Sequence, residues 1–347
     1  MLFPESIFRS NFFIKLRSWE YWPFGILQFP VFFYFAWLSF RARSITFFSA
    51  ANPGITMGGL FGESKYDILR KIPPSWVPKT ILIEGGSSTT TILKIIDEAG
   101  FQFPVIFKPE LGERGFFVRR IHNERDVTAY VKQMKYNFLV QELVDFPCEF
   151  SVFYARYPSR DKGIITSVVM KEMLTVTGDG KSTLQQLILQ KDRAKLQWNS
   201  LQKTFHDRLS HVIPAGEEIV LVQIGNHCLG TKFINRHDLI NDVLHQTFDH
   251  ISKQIPGFYF GRYDLRCKSI QDLYTGNIKI MELNGCGAEP AHIYHPGFSF
   301  TEAIGILLGH WRTIYEIARE NNDRGITYIS YREAMFHYRN FKQRVTT

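Results

Sequence analysis

Residues 21–40, YWPFGILQFPVFFYFAWLSF, carry no charged side chain, with Arg17 ahead of them and Arg41 and Arg43 behind. An apolar run of this length is not left in water, so whatever the chain folds into must cover it with lipid or with protein. The length suits a membrane span. Pro23 and Pro30 interrupt a helix, however, and the aromatic residues run throughout the stretch instead of forming two belts at its ends. Three arrangements meet the constraint: an interfacial or re-entrant anchor with Trp, Tyr and Arg at head-group level, an apolar arm packed on its own domain or on a second subunit, and a full span.

The chain, 347 residues long, has room for two domains and a sizeable core. Its net charge of +8 fits a polyanionic ligand or an anionic membrane surface. Nucleic acid is disfavoured, because there is no dense Lys/Arg stripe and no nucleic-acid-binding motif. Cys148, Cys228, Cys267 and Cys286 form no CxxC pair; they read as reduced thiols of a cytoplasmic protein, not as a zinc site or disulfide frame. The first residues lack the basic start, short apolar run and small-residue cleavage site of a secretory signal.

Past Arg43, SITFFSAANPG reads as a buried strand ending in an Asn-Pro-Gly turn. MGGLFGESKYDILRKIP reads as a glycine-rich loop feeding a short helix, and TTTILKIIDEAG as a helix ended by Gly100. FPVIFKPE, GFFVRRI, NFLVQELV, EFSVFYARYP, IITSVVMKEMLTV, EEIVLVQIG, GFYFGRYDLRC and IKIMELNG read as strands. Helices are expected in ERDVTAYVKQMK, LQQLILQ, a segment near 237–254, FTEAIGILLGHWRTIYEIARENN and the basic SYREAMFHYRNFKQRV, whereas 191–211 is polar without a clear period. Strands and helices are mixed rather than strictly alternating, so the fold class is α+β.

Asp264 and Glu282 fall on two apolar strands that can be neighbours, and Glu282 and Asn284, two apart, share a face. Three hard oxygen donors on one face suit Mg²⁺, which keeps waters and binds through one or two carboxylates plus substrate phosphates. Carboxylates in otherwise buried-looking strands are costly without a partner or a metal. The bland reading is polar edge or turn residues; Arg262, two before Asp264, weighs against it. Lys65 opens a helix and Lys108 ends a strand, and each can bring a point charge to a polyphosphate. The ELGERG loop offers Gly112 and Gly115, whose backbone N–H groups can approach phosphate, although such a loop alone is usually a hairpin. Backbone groups of Gln141, Glu142, Leu143 and Val144 can pair with a base edge, and Glu149 can accept from ribose hydroxyls. His292 and His295 follow the metal motif as candidates for substrate contact or ordinary loop polarity.

The order of these motifs resembles the ATP-grasp superfamily. Lys65, VPKT, FKPELGERGFF, VQELVDFPCEF, TGDGKST, GRYD and MELN occur in the family's sequence, over roughly 60–325. GRYD…ELNGCG is similar to D-alanine–D-alanine ligases; VTGDGKSTLQQLI and IPAGEEIVL…GNHCLGT are similar to the glutathione and cyanophycin synthetase branch. The resemblance implies two α+β lobes clasping ATP, ATP and Mg²⁺ as cofactors, and a small-molecule carboxylate activated as an acyl phosphate for attack by an amine. Lys65 and Lys108 match the phosphate lysines, Glu142 to Val144 the adenine hinge, Glu149 the ribose acid, and Asp264, Glu282 and Asn284 the Mg²⁺ ligands. Arg262 matches the arginine on the reacting carboxylate, Lys171 a basic residue offered to phosphate or substrate, and Asn226, Gly230 and Thr231 the substrate-side turn. Amides near Gly285 and Gly287 can serve an oxyanion.

On this reading, 1–43 is an apolar arm, 44–90 a short segment before the clasp, 91–145 the first lobe, 146–325 the second and 326–347 a basic C-terminal helix. Glu113 and Arg114 depart from the small residues of many relatives, and the segment before the clasp is shorter than the full domain usual there; Asn52 and Gly58-Gly59 are expected to supply what remains of it. The function implied is an ATP-dependent carboxylate–amine ligase, cytoplasmic, with contact to the inner face of a membrane open and homo-oligomerisation open. A non-catalytic ATP-binding interaction module at the membrane, and phosphotransfer to a hydroxyl, are the alternatives.

Overall fold

A computed structural model of the chain describes residues 10–112 and 115–345. Glu113 and Arg114, and the start of the arm before Ser10, lie outside the described residues. The arm forms α1 (Asn11–Arg17), a 3-10 turn (Trp19–Tyr21) and α2 (Phe24–Ala42). Ser10 caps α1 by accepting from the Phe13 amide. Pro23 stands at the start of α2, where a missing N–H has no helical partner to lose. Pro30 lies inside α2, contrary to the expected break. It forfeits one backbone bond, and the packing of Leu27, Val31 and Leu38 on the protein body holds the element regardless.

Phe47–Ala51 is a buried 3-10 helix, not the expected strand. A five-residue apolar run fits either form, and here aromatic packing of Phe47 on Phe35, Phe48 and Tyr315 decides. A 3-10 turn at Thr56–Gly59 follows, then α3 (Lys65–Leu69), capped by Ser64.

β1 (Thr80–Ile83), α4 (Thr89–Glu98), β2 (Val105–Pro109), β3 (Arg119–Ile121), α5 (Glu124–Gln133) and β4 (Phe138–Glu142) build a first sheet in the order β1-β4-β2-β3, antiparallel throughout. Ile92, Ile96, Val127 and Tyr130 of its helices pack on Val105, Phe107 and Val140. β1 comes from before residue 91, so this sheet draws on the segment expected to precede the first lobe.

The second part holds β5 (Cys148–Ala155), β6 (Ile164–Glu172), β7 (Thr175–Thr177), α6 (Leu184–Gln190), α7 (Asp192–Leu196), α8 (Trp198–Thr204), β8 (Glu218–Val220), β9 (Lys232–Asn235), α9 (Asp242–Lys253), β10 (Phe260–Cys267), α10 (Ile270–Thr275) and β11 (Ile278–Asn284). α11 (Phe300–Asp323) and α12 (Tyr331–Val345) close the chain. Five strands form one sheet, β11-β10-β5-β6-β9, and β7 pairs with β8. The two helices at 192–204 replace the irregular stretch expected there, nucleated on buried Ala194 and Leu201.

One face of the five-stranded sheet buries Phe150, Val152, Tyr154, Tyr263 and Leu265 against Leu244, Phe248 and Ile251 of α9. Strand alternation turns Glu149, Ser151, Arg262, Asp264 and Arg266 to the opposite face. A register shift between Asp264 and Leu265 lets Ile280 and Leu283 of β11 both join the apolar side, which leaves Glu282 and Asn284 beside the charged residues.

Candidate active site

Asp264 lies at the centre of the charged face. It is opposite Glu282 on β11 and Ser151 on β5. Lys171 of β6 reaches its Oδ1 at 3.0 Å, and Ser151 donates to the same oxygen. Arg262 approaches Oδ2 through Nη2 at 3.2 Å, and Asn284 Nδ2 donates to it at 3.1 Å. Burial opposes ionisation of Asp264, but the charges of Arg262 and Lys171 outweigh it and hold the carboxyl below the usual carboxylate range. Lys171 shows the converse: burial disfavours its charge, and Asp264 and Glu149 more than restore it, raising its pKa.

The two lysines come from other elements and arrive at the same place. Lys65, on the first turn of α3, has Nζ 3.9 Å from Glu282 Oε1 and donates to the carbonyl of Gly112. Lys108, at the end of β2, is buried and donates to Gln141 Oε1 and to the carbonyl of Met281, each at 2.9 Å. Burial pushes its amine down to about 8, with the Lys65 charge adding and Glu282 opposing. The first sheet therefore delivers Lys108 to the residue just before Glu282.

Glu149 is held by two side chains. Arg266 meets its Oε2 at 2.8 Å through Nη2, Lys171 meets Oε1 at 3.2 Å, and Arg266 Nη1 also donates to the carbonyl of Val144 at 3.0 Å. Sequence reasoning missed Arg266, although it follows Arg262 and Asp264 at the same two-residue period on β10. Of the hinge, Gln141 and Glu142 sit in the β2–β4 ladder, and the Glu142 amide donates to Lys79, so their backbones serve the sheet. Leu143 continues the chain from there. The Gln141 side chain instead supports Lys108.

Several expected backbone donors are spent on structure. Cys286 and Gly287 amides donate to the carbonyls of Gly58 and Gly59, at 3.0 and 2.7 Å, which removes the Gly287 amide from service to an oxyanion. Gly285 packs on the same loop: a Cβ there would lie 2.4 Å from Gly58 O. Asn52 is fully buried and bonds the carbonyls of Gly58 and Phe260 and the amides of Tyr259 and Phe260. It is a structural pin, not a wall of a substrate pocket.

The turn holding Asn226, Gly230 and Thr231 is also largely self-satisfied: Asn226 accepts from the Cys228 amide, and buried Thr231 donates to Ile224 O. Its neighbour Gly225 passes so close to Glu149 that a Cβ would stand 2.2 Å from Oε1, which places the turn over that carboxylate. A Cβ on Gly115 would be 3.7 Å from Asn226 Nδ2, so the loop after β2 reaches the same turn. His292 is half-buried, its Nδ1 without a hydrogen-bond partner among the described residues. Cys286 is buried, and burial raises its thiol pKa far above the nucleophilic range.

Glu289 ties the arm to this cluster. Its carboxylate accepts from Gln28 of α2 at 2.6 Å and from Tyr294 at 2.5 Å, and its carbonyl accepts from Arg262 Nη1 at 3.0 Å. Two surface cavities of about 370 and 380 Å³ lie elsewhere, one against Trp76 and His250, the other against Lys71 and His337.

Lys65, Lys108, Lys171, Arg262 and Arg266 outnumber Glu149, Asp264 and Glu282, so the face favours a polyanion. Among the described residues no three His, Cys, Asp or Glu side chains group as metal ligands. Asp264, Glu282 and the Asn284 amide supply instead a sparse set of hard oxygens on adjoining strands, which fits Mg²⁺ completed by water and phosphate.

No family model matches the sequence, and no curated protein matches it. Among solved structures the chain is similar to VanG D-Ala:D-Ser ligase from Enterococcus faecalis, at 14% identity and a TM-score of 0.42 over 74% of this chain and 64% of that one. It is similar to D-alanine–D-alanine ligase from Bacillus anthracis, at 14% identity and 0.44 over 78% and 72%. A bifunctional glutathione synthetase from Pasteurella multocida gives 15% identity and 0.37 over 71% of this chain. The chain thus spans just under two thirds of the first of these proteins and 36% of the synthetase.

Proposed function

We propose that the protein is an ATP-dependent ligase of the ATP-grasp kind, joining a carboxylate to an amine through an acyl phosphate. One observation carries this reading: Lys65 and Lys108, from separate elements, converge on Glu282 and Met281 next to Asp264. Burying that many like charges together is costly unless a polyanion belongs among them. Asp264, Glu282 and Asn284 are the residues that would hold Mg²⁺, which when bound supplies charge neutralisation to the phosphates.

The chain's own groups divide the remaining work. Lys65 and Lys108 meet phosphate oxygens as point charges. Arg262, whose planar fork already spans Asp264 and the Glu289 carbonyl, offers two donors to a substrate carboxylate and keeps the two anions from repelling. Lys171 balances Asp264 and Glu149 before the ligand arrives and is drawn toward phosphate once it does. Glu149 accepts from ribose hydroxyls, with Arg266 fixing its orientation.

The test is phosphate release from the full chain with Mg-ATP and pooled carboxylates and amines, with mass detection of the condensed product. Stoichiometric ADP, phosphate and conjugate are expected, and Asp264→Asn or Glu282→Gln should lower the rate by about 100-fold or more. Tight ATP binding without turnover on any pair would leave the interaction module as the reading. A phosphate ester formed without free phosphate would point to phosphotransfer.

A further inference from the structure

α2 is apolar on both of its sides. Leu27, Val31 and Leu38 are buried against α11 and the segment after α2. Phe29, Phe32, Phe33, Trp37 and Phe40 are 48–82% exposed. At 100° per residue, Phe29, Phe33 and Phe40 line up opposite Val31. Phe24 and Ile26 extend the exposed surface toward the start of the helix. So large a contiguous apolar face is not ordinary surface.

The charge around this face says what covers it. Exposed Arg41 and Arg43 stand at one end, and exposed Lys15 and Arg17 of α1 stand near the other. Trp22 fastens the two helices by donating to the carbonyls of Lys15 and Leu16, at 3.0 and 3.3 Å. The only acid between residues 10 and 62 is Glu20, and it is withdrawn into a pair with Arg193 at 2.8 Å and a contact with His227. An aromatic face with cations at both ends and no exposed acid of its own segment suits anionic head groups above a hydrocarbon layer.

We propose that α2 docks the protein on an anionic lipid surface, lying in the plane of the interface with its aromatic face in the acyl boundary. It does not span the bilayer. The side carrying Leu27, Val31 and Leu38 stays attached along α11, and crossing would carry the exposed Arg312–Glu316 pair of α11 toward hydrocarbon. A second copy on the same face would set cations against cations about a two-fold axis. Docking is independent of the ligase reading, since it requires no turnover.

The test is co-sedimentation of the full chain with phosphatidylcholine vesicles, with and without about 30 mol% phosphatidylglycerol. Binding to the anionic vesicles, weakened by salt, is expected. Phe29→Ser, Phe33→Ser and Phe40→Ser together should reduce it at least about tenfold, while the thermal melt stays unchanged because these side chains touch solvent. Arg17→Gln with Arg43→Gln should erase the preference for anionic lipid. Absence of binding to either vesicle would overturn the proposal, as would binding equal in the triple variant. So would a lipid-free dimer that becomes monomeric in the triple variant without any vesicle binding, which would assign the face to a second copy.

Discussion

Lys171 holds two buried carboxylates at once, Asp264 and Glu149, and each of those has an arginine as well. Lys171→Met keeps the stem's volume but leaves both acids short of a cation. It should cost about 3–5 kcal/mol, read as a lower urea midpoint at an unchanged slope. An unchanged midpoint would mean that the arginines suffice. Asn52→Ala strands two carbonyls and two amides in a fully buried place and should cost about 2 kcal/mol or more by the same measurement. At this scale the sequence displayed residue types and their two-residue period, which is enough to bring Arg262, Asp264, Glu282 and Asn284 to one face. It did not display how they are paired. Arg266 lies past the motif, and the pinning role of Asn52 is hidden because three of its four backbone partners belong to Tyr259 and Phe260, about two hundred positions on.

Elements with six or more residues and strong apolar runs were legible: β5, β6, β10 and β11, and the amphipathic helices α4, α5, α9 and α11. β1 and β9, four residues each at sheet edges, were not, because so few positions show no alternation. The joint between the end of β11 and the loop at 56–60 depends on glycine at closest approach. Gly287→Ala would put a Cβ 2.5 Å from the Leu60 carbonyl and Gly285→Ala one 2.4 Å from that of Gly58, both backbone atoms that cannot step aside singly. Each substitution should lower stability by about 1–3 kcal/mol. Because the loop leads into α3, each should also weaken nucleotide affinity by moving Lys65, measured by equilibrium titration of ATP; unchanged affinity would show that α3 is positioned independently of the joint.

Seen as one molecule, the protein should be acid-sensitive. Burial holds the His310 imidazole down at about 3, with the Arg262 charge adding, and burial holds His292 at about 4. Both lie below the ordinary histidine value, so the folded chain binds fewer protons than the unfolded one as pH falls. Their contribution is whole above about 6.5 and is lost progressively below it. Asp264, also depressed, adds a loss in the same direction at still lower pH. Melting temperature should therefore fall from pH 7 to pH 5, and His310→Gln should flatten that slope; a parallel slope in the variant would remove His310 as its source. The α+β class could be read from patterning, but the cluster as a whole could not, since it needs α3, two sheets and the arm in register at once. That last dependence has a practical side. Gln28 grips Glu289, and Glu289 grips Arg262, so a shortened form lacking the first forty residues would lose a brace of the charged face together with its greasy exterior. A dead truncate would then carry two explanations, and only point changes on the outer side of α2 can tell them apart.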